Sequence, residues 1–268
     1  MTCLQAGYGL DGDGYIISDV HIDKIHSIFL PLIHDSIKEI GLLFPNQLHS
    51  VYVYGSVARG EAIIGKSDLD LIAMFMCTLN TNEFKQLKNL SVALSQKYSS
   101  LVRDVGIAVA DYAYTIDPKN YYEGAFLKEL CICVHGEDPT IAFGPYKLTP
   151  EIALSFNGDI GNVVTRTIHR INSVSDEESI RISHGFARKF IRTGYSMVMV
   201  RSQIWTTRLH QQVKIFIHHF PEKKRIIQTF QEWLEEPIID RNLALYLIQS
   251  EGKWITDNFE REVIRTPS

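Results

Sequence analysis

The stretch 51–75, VYVYGSVARGEAIIGKSDLDLIAMF, constrains the fold more than any other part of this 268-residue chain. A β-branched and aromatic run stops at Gly55-Ser56, eleven residues intervene, and a second apolar run opens with Asp68 and Asp70. Residues two apart on a strand project from the same face, so the two carboxylates lie side by side while Leu69 and Leu71 point into a core. Such a pair repels itself unless a proton or a cation intervenes, and burying it without neutralisation is costly. A hard divalent cation, Mg2+ or Mn2+, satisfies both acids and keeps positions open for phosphate oxygens. Upstream, Gly55 permits a tight turn and Ser56 opens a short helical segment. The N–H groups of such a start, with the serine hydroxyl, form an anion site.

The motif "YGSVARG" followed by "SDLDL" resembles the signature of the DNA polymerase β-type nucleotidyltransferase superfamily, most closely the aminoglycoside-adenylyltransferase-like bacterial nucleotidyltransferases. The resemblance covers residues 45–115, and "VHGEDP" at 134–139 is similar to the end of the same domain. It implies that Gly55 and Ser56 hold a triphosphate, that Asp68 and Asp70 bind metal, with two Mg2+ or Mn2+ ions, and that a third carboxylate from a neighbouring strand completes the site. In "LVRDVGIAVADY" that carboxylate is Asp104 in preference to Asp111, because a full strand follows Asp104 and ends at Asp111. Asp104 would then hold the second metal, deprotonate the acceptor hydroxyl, or both. Arg59 and Lys66 flank the turn and loop; each either contacts phosphate or is a solvated surface charge. Ser67 is expected to fix the loop through a local hydrogen bond. The implied reaction is transfer of AMP from ATP to a hydroxyl of a small molecule such as an aminoglycoside, with release of pyrophosphate and a role in antibiotic resistance. Two alternatives are nucleotidylation of a partner protein, as in antitoxin-type enzymes, and nucleotide sensing without turnover.

The wider pattern predicts an α+β protein with a boundary at residue 146: an N-terminal nucleotidyltransferase domain, 1–146, around a small mixed sheet, then a helical bundle, 147–268. Apolar residues at helical spacing predict a helix from 22 to 40, interrupted or delayed by Pro31. Strands are expected at 50–54, 69–75 and 104–110, a helix at 82–98, and a helix running into a strand at 125–135. Gly and Pro punctuate a linker at 135–150. Beyond it, helices are predicted at 150–172, 176–202, 207–219, 222–235 and 240–262. On the second of these, Arg181, Arg188, Arg192 and Tyr195 fall in one stripe, and Arg188 and Arg192 are the expected nucleotide contacts. Trp205, Trp233 and Trp254 read as core, and Glu235 and Glu236 as a solvated helix end.

A formal net charge of −4 argues against gripping a long nucleic acid. The four cysteines, Cys3, Cys77, Cys131 and Cys133, lack zinc-site spacing and read as reduced residues of a cytoplasmic protein. No leader and no apolar run of membrane-spanning length is expected. Gly7-Tyr8-Gly9-Leu10-Asp11-Gly12 matches a dinucleotide fingerprint, but a strand before it and a helix after it are missing, so it reads as a turn. "DGDG" lacks the remainder of a calcium loop, and His218-His219 reads as helix surface.

Overall fold

The computed structural model describes residues 4–265, so Cys3 lies outside the described residues. The chain divides into two compact units, one of residues 17–146 and one joining the N-terminal arm through Ile16 to everything from Lys147 onward. The architecture is α+β: a small mixed sheet with helices in the first unit, and in the second, among the described residues, helices with two isolated β-bridges. No helix among the described residues is long and apolar enough to cross a membrane.

In the first unit, helix α1 (Leu30–Leu43) begins late because Pro31 occupies its first turn, where a missing N–H costs nothing. The residues from 22 to 29, expected to be helical, form two 3-10 turns instead, each capped by a histidine Nδ1. Strand β1 (Leu48–Tyr54) is followed by a single turn of helix α2 (Gly55–Ala58), then β2 (Leu69–Phe75), α3 (Thr81–Lys97) and β3 (Val105–Asp111). The unit closes with α4 (Tyr112–Ile116), α5 (Gly124–Leu130) and β4 (Cys131–Gly136). The strand order is β3-β2-β1-β4, with β1 antiparallel to both neighbours and β2 parallel to β3. Asn80 and Glu83 form a reciprocal capping box at the start of α3.

Alternation along the strands sorts the side chains. Val51, Val53, Leu69, Leu71 and Val105 bury against Leu32 and Ile33 of α1 and Leu94 of α3. Tyr52, Ile72 and Met74 face the other way and pack against Leu127 of α5. Both sheet faces are therefore covered, and the second face ends at Asp70.

The second unit takes in the N-terminal arm, which the sequence alone placed with the sheet. Gly7 N–H donates to Gln203 O (2.7 Å) and Trp205 N–H to Tyr8 O (2.8 Å), so backbone pairing ties the arm to the helical chain. A side chain at Gly9 would meet Trp205 O at 2.3 Å, which accounts for one glycine of the fingerprint-like stretch as a close backbone approach. The helix expected over 150–172 is two helices, α6 (Pro150–Asn157) and α7 (Ile160–Ser173), broken at the Gly158 cap. Then come α8 (Asp176–Ser202), α9 (Leu209–His219), α10 (Lys224–Glu235) and α11 (Arg241–Val263). Phe186, Phe190, Phe230 and Trp233 form an aromatic core with ring centroids 4.5–6.2 Å apart. Trp205 is buried beside Phe156, and Trp254 packs edge-on against Phe220 at 5.6 Å, so the tryptophans are packing residues.

One buried acid in the sheet unit yields a stability prediction. Burial pushes the Glu129 carboxyl from 4.5 up to about 7, an effect only partly offset by the charge of Lys128. Because the folded value is raised, the stabilising contribution of its proton is complete below about 4.5 and is lost as pH rises through about 7. The melting temperature of the native chain should therefore fall more between pH 5 and pH 8 than that of Glu129→Gln. Parallel melting curves for the two proteins would refute this.

Candidate functional site

The end of the sheet where β2 and β3 begin gathers most of the residues singled out by the sequence. Gly55 adopts φ +77°, a left-handed conformation that side-chain-bearing residues avoid. It sits at the turn from β1 into α2, and Asp70 is the strand partner of Tyr54 immediately before it. A side chain at residue 55 would meet Asp70 Oδ2 at 2.5 Å. The carboxylate thus lies directly against the glycine backbone. On the other side Asp70 pairs with Gly106 of β3, where an added side chain would meet Asp70 Oδ1 at 3.5 Å, an ordinary van der Waals distance.

Asp68 precedes β2 and is held differently. Its Oδ2 accepts a hydrogen bond from Arg103 Nη2 at 2.5 Å, while Oδ1 is buried with no hydrogen-bond partner. An anionic oxygen out of water and without a donor is a costly arrangement that a cation relieves. Arg103 also approaches Asp104, Nε to Oδ2 at 3.9 Å. Backbone bonds from Arg103 N–H to Ser67 O (3.0 Å) and from Leu69 N–H to Asp104 O (2.9 Å) extend the parallel ladder and hold these residues level. Asp104 therefore stands opposite Asp68, with a mostly exposed side chain. Asp111 lies at the far end of β3, where it accepts Tyr114 N–H and Thr78 Oγ1–H; it is a helix cap in this structure.

The loop between the glycine and the acids is tied locally. Ser67 Oγ accepts the N–H of Ile63 at 2.9 Å, the kind of staple expected of it. Arg59 is engaged by Glu61, Nε to Oε2 at 3.0 Å, and Lys66 is exposed. Ser56 is half-buried within α2, whose first N–H groups have no acceptor inside so short a helix.

The donor set at this corner is all carboxylate, which suits Mg2+ or Mn2+. The orphaned Oδ1 of Asp68 and the packed carboxylate of Asp70 fit a pair of metal-facing acids. Among the described residues, however, no three His, Cys, Asp or Glu side chains are gathered closely enough to enclose one ion. Asp104 is brought to the same end of the sheet without joining such a cluster.

Arg188 and Arg192 belong to the helical unit. Arg188 Nε is buried without a hydrogen-bond partner, and Arg192 is exposed. The expected stripe on α8 is not one surface: Arg181 pairs with Glu177 at 3.1 Å, while Tyr195 is buried and donates to Ile204 O at 2.6 Å. Glu235 and Glu236 are exposed at the end of α10. Sequence reasoning missed Arg103, whose signal was a cation immediately before the third acid. It also misplaced His219, which is half-buried rather than on the helix surface. Cys77, Cys131 and Cys133 are free thiols.

No family model matches the chain, and no curated protein matches it by sequence. Among solved structures it is similar to a crystal structure of spectinomycin adenyltransferase AAD(9) from Enterococcus faecialis with ATP and spectinomycin. The TM-score is 0.52 at 13% sequence identity, over 84% of this chain and 99% of that one. At that identity the likeness is one of fold alone: a small mixed sheet with helices, and a helical part.

Proposed function

We propose that the chain is a nucleotidyltransferase that moves AMP from ATP to a hydroxyl of a small-molecule acceptor, such as an aminoglycoside, releasing pyrophosphate. The observation that carries this reading is the seat of Asp70, whose carboxylate takes the space a side chain at residue 55 would fill. It favours a site in which phosphate oxygens approach bare backbone at Gly55 and Ser56 while acids stand beside them. Mg2+ or Mn2+ held by Asp68 and Asp70 would neutralise these acids and the triphosphate charge together. Lys66, exposed on the loop, would add a further cation, and Arg59, already tied to Glu61, would stiffen the turn.

In the reaction the acceptor oxygen bonds to the α-phosphorus as the bond from that phosphorus to the pyrophosphate oxygen breaks. The hydroxyl proton passes to Asp104, which is exposed and level with Asp68. Catalysis of this kind is mostly positioning and charge stabilisation. The neighbouring fold was crystallised with ATP and spectinomycin, so these are the first donor and acceptor to try. A protein acceptor is the second reading, favoured by Ile63 and Ile64, which are 59% and 54% exposed on the loop between the glycine and the acids.

Incubation with α-labelled ATP, MgCl2 and a panel including spectinomycin should give labelled drug and pyrophosphate only when metal and acceptor are both present. Label on a protein band instead would establish the second reading. Asp68→Asn and Asp70→Asn should each lower the rate at least about 100-fold, the scale of losing one transition-state electrostatic contact; an unaltered rate in the double variant would end the proposal.

Arg103 occupies an oxygen of Asp68. Arg103→Met should therefore tighten Mn2+ binding to the nucleotide-free protein about 3- to 10-fold, the equivalent of roughly 1 kcal/mol, as read by electron paramagnetic resonance. Gly55→Ala should cost about 1–3 kcal/mol in urea unfolding, because it places a side chain in a left-handed conformation, and it should lower label transfer by displacing the Asp70 carboxylate.

A further inference from the structure

The helical unit contains a cavity of about 550 Å3 that the proposed reaction does not use. It is walled by the end of α8, the segment after it, α9, and Leu4 and Ala6 of the N-terminal arm. In a chain of net charge −4, its described lining includes no acid, but does include Arg201, Lys214 and three histidines.

The positive character has a structural basis. Arg201 is only 10% exposed and donates from Nη1 to Glu262 Oε2 at 2.8 Å. Glu262 is shared with Arg261 and Arg265, each at 3.5 Å, so Arg201, the one of the three that lines the cavity, does not hold the carboxylate alone. Burial raises the Glu262 carboxyl, but these arginines, Arg201 foremost, outweigh it and keep the group ionised below its ordinary range. Along α9, His210, Lys214 and His218 recur every fourth residue, so one exposed stripe of the helix borders the cavity.

The polar groups of the inner wall are paired with one another. Ser202 Oγ–H donates to Val198 O at 2.7 Å, so its 2.7 Å contact with His219 requires the ring Nε2–H to be the donor. Burial, then the charges of Arg201 and His218, bring the His219 pKa down to about 4, which keeps that ring neutral. Leu4, Ile204 and Ile215 supply apolar surface. The volume lies in the range of pockets that enclose drug-sized ligands, far more than one inorganic ion fills.

We propose that this cavity binds a small organic anion, a carboxylate or phosphate monoester carried on an apolar body. The proposal stands independently of the nucleotidyl-transfer reading, because every described residue lining the cavity belongs to the helical unit.

The test is calorimetric titration of the full chain, in EDTA, with 1-naphthoate, 1-naphthyl phosphate and neutral 1-naphthalenemethanol. At least one anion should bind saturably and at least about 10-fold more tightly than the neutral compound. Which anion binds better identifies the head group. Lys214→Glu with His218→Glu, both at exposed positions, should weaken that binding at least about 10-fold, while Lys85→Glu on α3 should leave it unchanged. If the double variant does not fold, Lys214→Ala with the same probes replaces it, with weakening again expected. Absence of saturable binding, equal affinity for the neutral compound, or undiminished binding in the variant would overturn the proposal.

Discussion

The carboxylate of Asp70 is pressed against a residue that has no side chain, and the corner of the sheet is arranged around that contact. Gly55 accepts a positive φ and leaves room for Oδ2, so strand, turn and acid form one unit. The contact requires β1 and β2 to pair in one register, because a slip of one residue would turn Asp70 into the core and Leu69 or Leu71 out of it. Burial of Leu69, Leu71 and Val53 against α1 and α3 enforces that register. Apolar packing on one face therefore positions a charged group on the other.

The acids at this corner are not treated alike. Asp70 is placed by backbone, whereas Asp68 is placed by Arg103, a cation that itself leans toward Asp104. An arginine in this position partly offsets the repulsion of neighbouring carboxylates. The helical unit shows the converse arrangement, with one buried glutamate shared by three arginines and, beside Arg201, a cavity with no acid among its described lining residues. A modest overall charge conceals two local excesses of opposite sign.

Much of this was legible in the chain. The strand limits of β2 and the whole of α8 agree with apolar spacing, because a half-buried strand and a packed helix impose periods that side chains must follow. Asp104 was separable from Asp111 by position: one precedes the strand that the other ends and caps. Local breakers decided where a long periodic run became helix: the late start at Pro31 was expected, the break at Gly158 was not. Gly158 split one expected helix into two. The N-terminal arm and the environment of His219 were not legible, since both depend on contacts with residues distant in sequence.

The sequence by itself determined the spacing that puts Asp68 just before β2 and Asp70 on it, the glycine turn before them, and the sheet-then-helices order. These follow from periods and backbone permissions that belong to a few consecutive residues. Only the tertiary structure decided that Asp70 rests on Gly55, that Arg103 claims one oxygen of Asp68, and that Arg201 shares Glu262 with two other arginines. Those contacts join residues up to 61 positions apart in the chain, as with Arg201 and Glu262, and hydrophobic burial brings them together without regard to the charges they carry.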